Sequence, residues 1–394
     1  MNTGRTTTKE GKNQGVELIR AISMFLIVLL HVTGIGGVAA ATPSGSLSHT
    51  VSVFLLAFSY VCVNVYALIS GYVSCFSRFK PSRVLSLWLI VVFYNLLCIG
   101  LVKAGAAVAA NVDLTALPPL LSKIVSGLSA ANSSADIAVA LQPMRYGSYW
   151  YFTAFVGLSA LMPLLNAGVK NLAKRAYAVM LIAGFTLFSL LPFAWQTDPF
   201  TTANGYTLLW LALLYVTGAF FRLHPLEKPS KYVFLLAYVV LSCLTAALTL
   251  WWSASPDEGL QTCALFILQY TSPLVLAASV ACFLFFVRVR IDDRVTVKIV
   301  SFFARSTFPV YIFHTNVLLF PFLLTGSFAS FGSLSAPLLL LAVLASAAAI
   351  FLVCTFSDKV RIGLFRLLHI NAALEALDRL FARFFEDKKE GADA

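Results

Sequence analysis

The sequence predicts an all-α integral membrane protein with about ten transmembrane helices and with both termini in the cytoplasm. Apolar residues make up 59% of the 394-residue chain and charged residues only 11%, less than half of the ~25% that is usual in a soluble domain. The apolar residues form continuous runs of about 20, the length of a membrane-spanning helix, and do not alternate as in a β-barrel strand. The Lys and Arg residues stand between these runs.

Ten apolar runs give the predicted spans. They lie near residues 17–38, 50–72, 84–104, 146–166, 176–195, 205–222, 232–252, 262–287, 300–324 and 336–356. With the N-terminus inside, all but three of the 28 Lys and Arg residues (Lys103, Lys123 and Arg145) fall in cytoplasmic loops or at their borders. This asymmetry supports the orientation, because short cytoplasmic loops are enriched in Lys and Arg. It also explains the net charge of +11 without a nucleic-acid partner, whose binding needs a basic patch on one soluble face.

The chain is predicted to have three parts. Residues 1–16 form a basic cytoplasmic tail, 17–356 the ten-helix membrane domain, and 357–394 a cytoplasmic amphipathic helix and tail. The amphipathic helix, over 358–386, sets leucines against arginines and is expected to lie on the anionic inner leaflet of the bilayer. The external segment 105–142 is expected to dip into the interface or to cover an external opening.

The first span carries three ionisable residues, which are costly in hydrocarbon and usually functional there. Glu17, Arg20 and His31 share one stripe, because the eleven residues from Arg20 to His31 return to within about 20° of the same helix face. The helical rise puts His31 about 16 Å deeper than Arg20. We predict that His31 is a general base and that Arg20 holds an anionic donor entering from the cytoplasm.

Simpler interpretations of these residues exist. Arg20 alone is also typical of a snorkelling topology anchor, and His31 alone of a hydrogen-bonded packing residue. The first span could be a cleaved signal peptide ending at Ala39-Ala40-Ala41, but its charged and polar residues argue against this.

Other spans supply further candidate site residues. The predicted donor-binding residues are Arg20, Arg78 and Arg83. The predicted substrate-binding residues are Glu17, Ser70, Tyr72, Arg145, Trp150, Tyr311 and His314. His314 follows Pro309, which is expected to kink the ninth span. Interfacial aromatic residues also form belts, and basic pairs also set topology, so each of these residues has a structural alternative. The seven cysteines lack the spacing of a metal site, and no metal is predicted.

Five short motifs follow one another along this frame. They are Arg20 with His31, Ser70-Gly71-Tyr72, Trp150-Tyr151-Phe152 with Pro163-Leu164-Leu165-Asn166, Leu214-Tyr215-Val216-Thr217-Gly218, and Tyr311 with His314. With these motifs most of the chain resembles the membrane-bound acyltransferase-3 proteins, which O-acetylate cell-surface polysaccharides and related envelope glycans. It departs from them at Ser148, where many members have His, and at Pro309, where they favour Gly.

The resemblance implies an O-acyltransferase of the cell membrane. Such a protein takes an acyl group, usually acetyl, from acetyl-CoA on the cytoplasmic side and delivers it to a hydroxyl of an envelope polysaccharide or lipid-linked sugar. His31 would be the essential base or acyl relay, and no cofactor would be bound permanently. The two departures concern the acceptor site more than the donor site.

Two other classes of protein stay open from the residues alone. A transporter or flippase would predict paired broken spans in two related halves, which the sequence does not show. A sensor or scaffold would predict that loss of His31 or Arg20 leaves function intact.

Overall fold

The computed structural model describes residues 13–77, 79–145 and 149–390, and only the backbone of 384–390. These residues form α-helices joined by short turns and contain no β-strand. The helices are α1 (Gln14–Leu30), α2 (Val38–Ala41), α3 (Leu47–Ser59), α4 (Val61–Ser74), α5 (Pro81–Asn111), α6 (Pro119–Ala130), α7 (Ser134–Leu141), α8 (Trp150–Lys170), α9 (Lys174–Phe185), α10 (Leu191–Trp195), α11 (Leu208–Leu223), α12 (Lys231–Ser253), α13 (Glu258–Ile267), α14 (Pro273–Val287), α15 (Arg294–Ala304), α16 (Thr307–His314), α17 (Phe320–Leu323), α18 (Ala336–Leu367) and α19 (Ile370–Glu390).

Eight helical segments of the described chain are long and apolar enough to cross a membrane. They are Gln14–Ala41, Leu47–Ser74, Pro81–Asn111, Trp150–Lys170, Lys174–Trp195, Lys231–Ser253, Arg294–His314 and Ala336–Leu367. The predicted span 205–222 corresponds to the shorter apolar helix α11. The predicted span 262–287 is divided between α13 and the shorter apolar helix α14, with a break after Ile267. The predicted all-α polytopic fold is therefore confirmed. The cytoplasmic location of both termini stays a prediction, and residues 1–12 of the predicted basic tail lie outside the described residues.

The ninth span is interrupted, but its break is not where the sequence predicts it. α15 ends at Ala304 and α16 starts at Thr307, so the break precedes Pro309. Pro309 stands in the first turn of α16, where the amide N–H that proline lacks would have no helical partner. The helix then stops at His314 instead of continuing to about residue 324, which leaves His314 at a helix end.

The C-terminal amphipathic helix begins later than predicted. α18 continues the last span without a break to Leu367, so residues 358–367 belong to that span. The chain turns at His369, whose φ is +52°, and the amphipathic helix α19 starts at Ile370. The boundary between the membrane domain and the amphipathic helix thus lies close to His369, about three helical turns beyond the predicted residue 357.

The predicted external segment 105–142 is helical for most of its length. α5 extends to Asn111, and α6 and α7 follow as a pair bent by 82°. α6 packs along α5, with Gly127 against the ring of Phe322, and Ala140 of α7 is buried among Cys98, Leu318 and Leu319. This segment therefore covers the chain that follows His314.

Helices α4 and α11 cross at the centre of the bundle through two glycines. A Cβ at Gly71 would come within 1.7 Å of the Tyr215 carbonyl oxygen, and one at Gly218 within 2.0 Å of the Leu68 carbonyl oxygen. The same crossing is joined to α8, because Asn166 accepts a hydrogen bond from the Tyr215 hydroxyl at 2.9 Å. Glycine lets helices approach this closely within a bilayer. Three of the sequence motifs therefore include residues that hold α4, α8 and α11 together.

This crossing gives a first testable result. Gly71→Ala is expected to leave no monodisperse folded protein in fluorescence-detected size-exclusion chromatography, because its methyl group meets backbone that cannot rotate away. Gly100→Ala is the matched control in the interior of α5, where no described atom lies within 4 Å of the added methyl group, and it should fold normally. A Gly71→Ala protein with wild-type yield and melting temperature would contradict this account of the crossing.

Candidate active site

A cavity of about 770 Å³ runs between α1, α4, α8 and α16. On α1 its wall consists of Arg20, Met24, Ile27 and His31, which recur every three or four residues along one helix face. Arg20 and His31 therefore face the same cavity.

The cavity extends along most of the membrane thickness. On α8 its wall reaches from Trp150 to Asn166, a rise of about 24 Å compared with a hydrocarbon core of about 30 Å. Towards the N-terminal ends of α1 and α5 the wall contains Arg20, Lys80 and Arg83, which we call the basic mouth. At the start of α8 and in the turns before α11 and α14 it contains Trp150, Tyr206 and Tyr270, which we call the aromatic cup.

Arg20, one of the three residues of the basic mouth, is held in place by contacts with Glu17 and Tyr66. Its guanidinium forms an ion pair with Glu17 at 2.7 Å, one helical turn away, and the side chain is 26% exposed. The Tyr66 hydroxyl donates to the Arg20 backbone carbonyl at 2.6 Å and so joins α4 to α1. Glu17 holds Arg20 in place and is not part of the cavity wall.

His31 and His314 meet at the far end of α1. The Nδ1 atom of His31 lies 3.0 Å from Nε2 of His314, and the rings are 5.2 Å apart. The Nδ1 atom of His314 in turn lies 2.6 Å from the carbonyl oxygen of Val310. His31 is part of the cavity wall, whereas His314 is 9% exposed and stands behind it.

When both imidazoles are neutral, these contacts determine the tautomer of each. A carbonyl oxygen only accepts, so Nδ1 of His314 carries the proton and donates to Val310. Nε2 of His314 is then the acceptor for an N–H on Nδ1 of His31. The remaining nitrogen of His31, Nε2, then keeps its lone pair, and no hydrogen bond from a described residue occupies it. An imidazole oriented through its other nitrogen is the arrangement that a general base needs.

The surrounding backbone holds the two histidines in place. After α1 the chain makes a π-helical turn, His31–Ile35, and the Ile35 carbonyl accepts from the amide of Gly326 at 2.9 Å. Such turns inside helices are frequent at functional sites. Two residues after His314, the buried Asn316 amide donates to the Asn95 side chain at 2.9 Å and to the Tyr149 hydroxyl at 2.8 Å. These bonds fix the end of α16 against α5 and the start of α8.

The other predicted site residues divide into two groups. Ser70, Arg83, Trp150 and Tyr311 belong to the cavity wall. Tyr72 and Arg145 do not, and Arg78 lies outside the described residues.

The two described residues away from the wall have other contacts. Tyr72 packs on Phe283, and Arg222 lies over its ring at 5.2 Å. Arg145 is exposed and donates to Gln142 at 2.9 Å.

Several residues of the cavity wall are not indicated by the sequence reasoning. They are Tyr66, Lys80, Tyr206 and Tyr270. Tyr66 could have been found, because it precedes Ser70 by one helical turn and shares its face. Tyr206 and Tyr270 lie in turns between helices, where no periodicity indicates their direction.

The amphipathic helix α19 lies across the basic mouth. Its residues Asn371, Leu374 and Glu375 complete the wall there. The Asp378 carboxylate accepts from the Ser82 amide at 3.1 Å and from the Ser82 hydroxyl at 2.6 Å, which ties α19 to the first turn of α5. The Ser82 hydrogen bonds lower the pKa of Asp378. Because this pKa is lower when α19 is docked, the attachment is complete at neutral pH and weakens as the pH falls through the lowered pKa.

This attachment can be measured by hydrogen exchange. Asp378→Ala is expected to speed amide exchange in α19 and in the first turn of α5 at pH 7, because both bonds to Ser82 are lost. Arg379→Ala, at an exposed position on the same helix, should leave exchange unchanged. Equal exchange in the wild type and the Asp378 variant would show that these bonds do not hold α19.

The fold and the site together define a polytopic membrane protein with an oriented histidine at the wall of a cavity that runs from a basic mouth to an aromatic cup. The family model described as "Acyltransferase domain" matches residues 13–357. The chain therefore belongs to the acyltransferase-3 family and is a membrane acyltransferase. No match is found among the curated proteins or the solved structures.

Proposed function

We propose that the protein transfers an acyl group, most simply acetyl, from cytoplasmic acyl-CoA to a hydroxyl of a cell-envelope glycan or glycolipid. Its place would be the cell membrane, either an inner or a plasma membrane. The observation that carries the proposal is the free Nε2 lone pair of His31, held by His314 in the same cavity as the basic mouth. Membership of an acyltransferase family supports the reaction class.

The basic mouth and the stretch of cavity from Arg20 to His31 suit the two parts of acyl-CoA. Coenzyme A carries phosphates, and the guanidinium and ammonium groups of Arg20, Lys80 and Arg83 attract and hydrogen-bond such anions. Its thioester stands at the end of a long, thin arm. Arg20 and His31 are separated by about 16 Å along α1, so phosphates held at the basic mouth leave the arm to extend along the cavity towards His31.

The reaction follows from the lone pair on His31. Nε2 of His31 takes the proton from the acceptor hydroxyl as its oxygen attacks the thioester carbonyl carbon, so a C–O bond forms. The C–S bond then breaks, and the coenzyme A sulfur leaves with the proton that His31 returns. The products are an ester and free coenzyme A, with no net gain or loss of protons. In the relay version Nε2 would itself attack first, and the acyl group would pass from His31 to the hydroxyl.

The experiment is acyl transfer across a sealed membrane. Inverted membrane vesicles that contain the full chain receive labelled acetyl-CoA on the outside, with an envelope-glycan extract trapped inside, and vesicles without the protein are the control. Ester-linked label on the trapped glycan, removable by mild base, is the expected result. Label that crosses the membrane without forming an ester would favour a transporter or flippase, and no use of any acyl-CoA would overturn the proposal.

A further inference from the structure

The aromatic cup is a continuous surface. The ring centroids of Trp150 and Tyr206 are 4.6 Å apart, and those of Tyr206 and Tyr270 are 5.1 Å apart. Tyr151 links this surface to the histidine pair, since its ring lies 5.5 Å from Trp150 and 6.2 Å from Tyr311, one helical turn before His314. The cup and His31 therefore belong to one cavity wall, with Tyr151 and Tyr311 between them.

The cup stands within the depth of the membrane. α11 and α14 have 16 and 15 residues, so they span about 24 Å and 22 Å of the roughly 30 Å hydrocarbon core. Tyr206 and Tyr270 precede these helices by two and three residues. Non-helical backbone at this depth is tolerated where it is buried in protein or borders a cavity. The two short helices thus leave room for two tyrosines at the end of the cavity.

Polar contacts hold both tyrosine-bearing turns. The fully buried Asn64 donates to the Tyr270 carbonyl at 2.9 Å and accepts from the Trp210 indole at 2.9 Å. Asp198 accepts from the amides of Thr202 and Ala203, just before Tyr206. Surfaces held by such contacts are ordered before a ligand arrives, which lowers the entropy cost of binding.

The cup differs from an aromatic belt. Belt residues face lipid at the interface and are therefore exposed on the protein surface, as Trp195 and Trp251 are at 57% and 66%. Tyr270 is only 3% exposed, and all three cup rings belong to the cavity wall. Among the described residues no hydrogen bond occupies the Trp150 indole N–H, which leaves a donor at the cup.

We propose that the aromatic cup is the acceptor subsite and that it binds a hexopyranose ring. This inference rests on the proposed acyl transfer. A pyranose has a face of C–H groups that packs on aromatic rings and a rim of hydroxyls that hydrogen-bonds to indole and phenol groups. A quaternary ammonium alcohol would need a box of separated rings around its cation, whereas these rings touch one another and form one wall.

The test separates the acceptor from the donor. Purified full-length protein in nanodiscs receives acetyl-CoA and, in turn, a panel of methyl hexopyranosides, cyclohexylmethanol and choline. Binding of a thioether analogue of acetyl-CoA is measured in parallel. The wild type is expected to acetylate at least one pyranoside with a kcat/KM tenfold or more above those for the two other alcohols. Trp150→Leu is expected to raise the KM for that pyranoside at least tenfold and to leave analogue binding within twofold.

The controls distinguish the possible failures. Trp251→Leu, at a position that is 66% exposed and outside the cavity wall, should match the wild type. Tyr206→Leu serves if the Trp150 variant does not fold, because Tyr206 is 42% exposed and tolerates truncation better. If the wild type binds the acetyl-CoA analogue but acetylates all the alcohols equally well, or acetylates no pyranoside, only the proposed sugar subsite is overturned. If the wild type neither binds the acetyl-CoA analogue nor transfers an acetyl group to any of the alcohols, the proposed function is overturned as well.

Discussion

His31→Ala is expected to lower acyl transfer by about 10²–10⁴-fold while the protein still folds and still binds acyl-CoA. The substitution removes the only nitrogen with a free lone pair in the His31–His314 pair, as the hydrogen bonds assign it. The basic mouth, about 16 Å away along α1, is untouched, so the affinity for the phosphates of the donor should not change. The effect should therefore appear in kcat and leave the KM for acyl-CoA within about twofold.

The measurement is initial-rate transfer from labelled acetyl-CoA at matched protein levels. His49→Ala is the control, because His49 bonds to Thr42 outside the cavity wall and should keep wild-type activity. Full activity in His31→Ala would remove His31 from the chemistry. A parallel loss of analogue binding would instead mean that His31 supports the donor site.

The transmembrane architecture could be predicted from the sequence because it depends on local properties. The length of an apolar run and the positions of Lys and Arg are sufficient to place a span and to propose its orientation. The shared face of Arg20 and His31 is equally local, since helical geometry relates residues eleven apart without reference to any other helix. Both residues belong to the cavity wall.

The parts that could not be predicted depend on contacts between distant residues. His31 and His314 are 283 residues apart in the chain, and no spacing rule brings them together. At the end of α16, two residues after His314, Asn316 makes similarly distant hydrogen bonds to Asn95 and Tyr149. The aromatic cup is similar, because Asn64 positions Tyr270 from 206 residues away.

Substitution of His314 is expected to give the second large loss of activity, because His314 orients His31. In His314→Leu the N–H on Nδ1 of His31 loses its acceptor, so the tautomer with a free Nε2 is no longer favoured. We expect kcat to fall about 10²–10⁴-fold, as when the group that orients a catalytic histidine is removed from a triad, with the KM for acyl-CoA nearly unchanged.

His314→Gln separates this role from simple packing. The glutamine amide oxygen can accept from Nδ1 of His31, and its NH₂ group can donate to the Val310 carbonyl, so it reproduces both bonds of the imidazole. The His314→Gln variant should be at least tenfold more active than the His314→Leu variant. The ¹⁵N spectra of labelled His31 should show a protonated Nδ1 in the wild type and in the Gln variant, and a mixture of tautomers in the Leu variant. Equal activity in the two variants at equal thermal stability would mean that His314 only fills space. Activity that is lost in the Leu variant and recovered in the Gln variant would establish that the reaction requires the hydrogen bond from Nδ1 of His31 to residue 314, because this bond determines which nitrogen of His31 carries the proton.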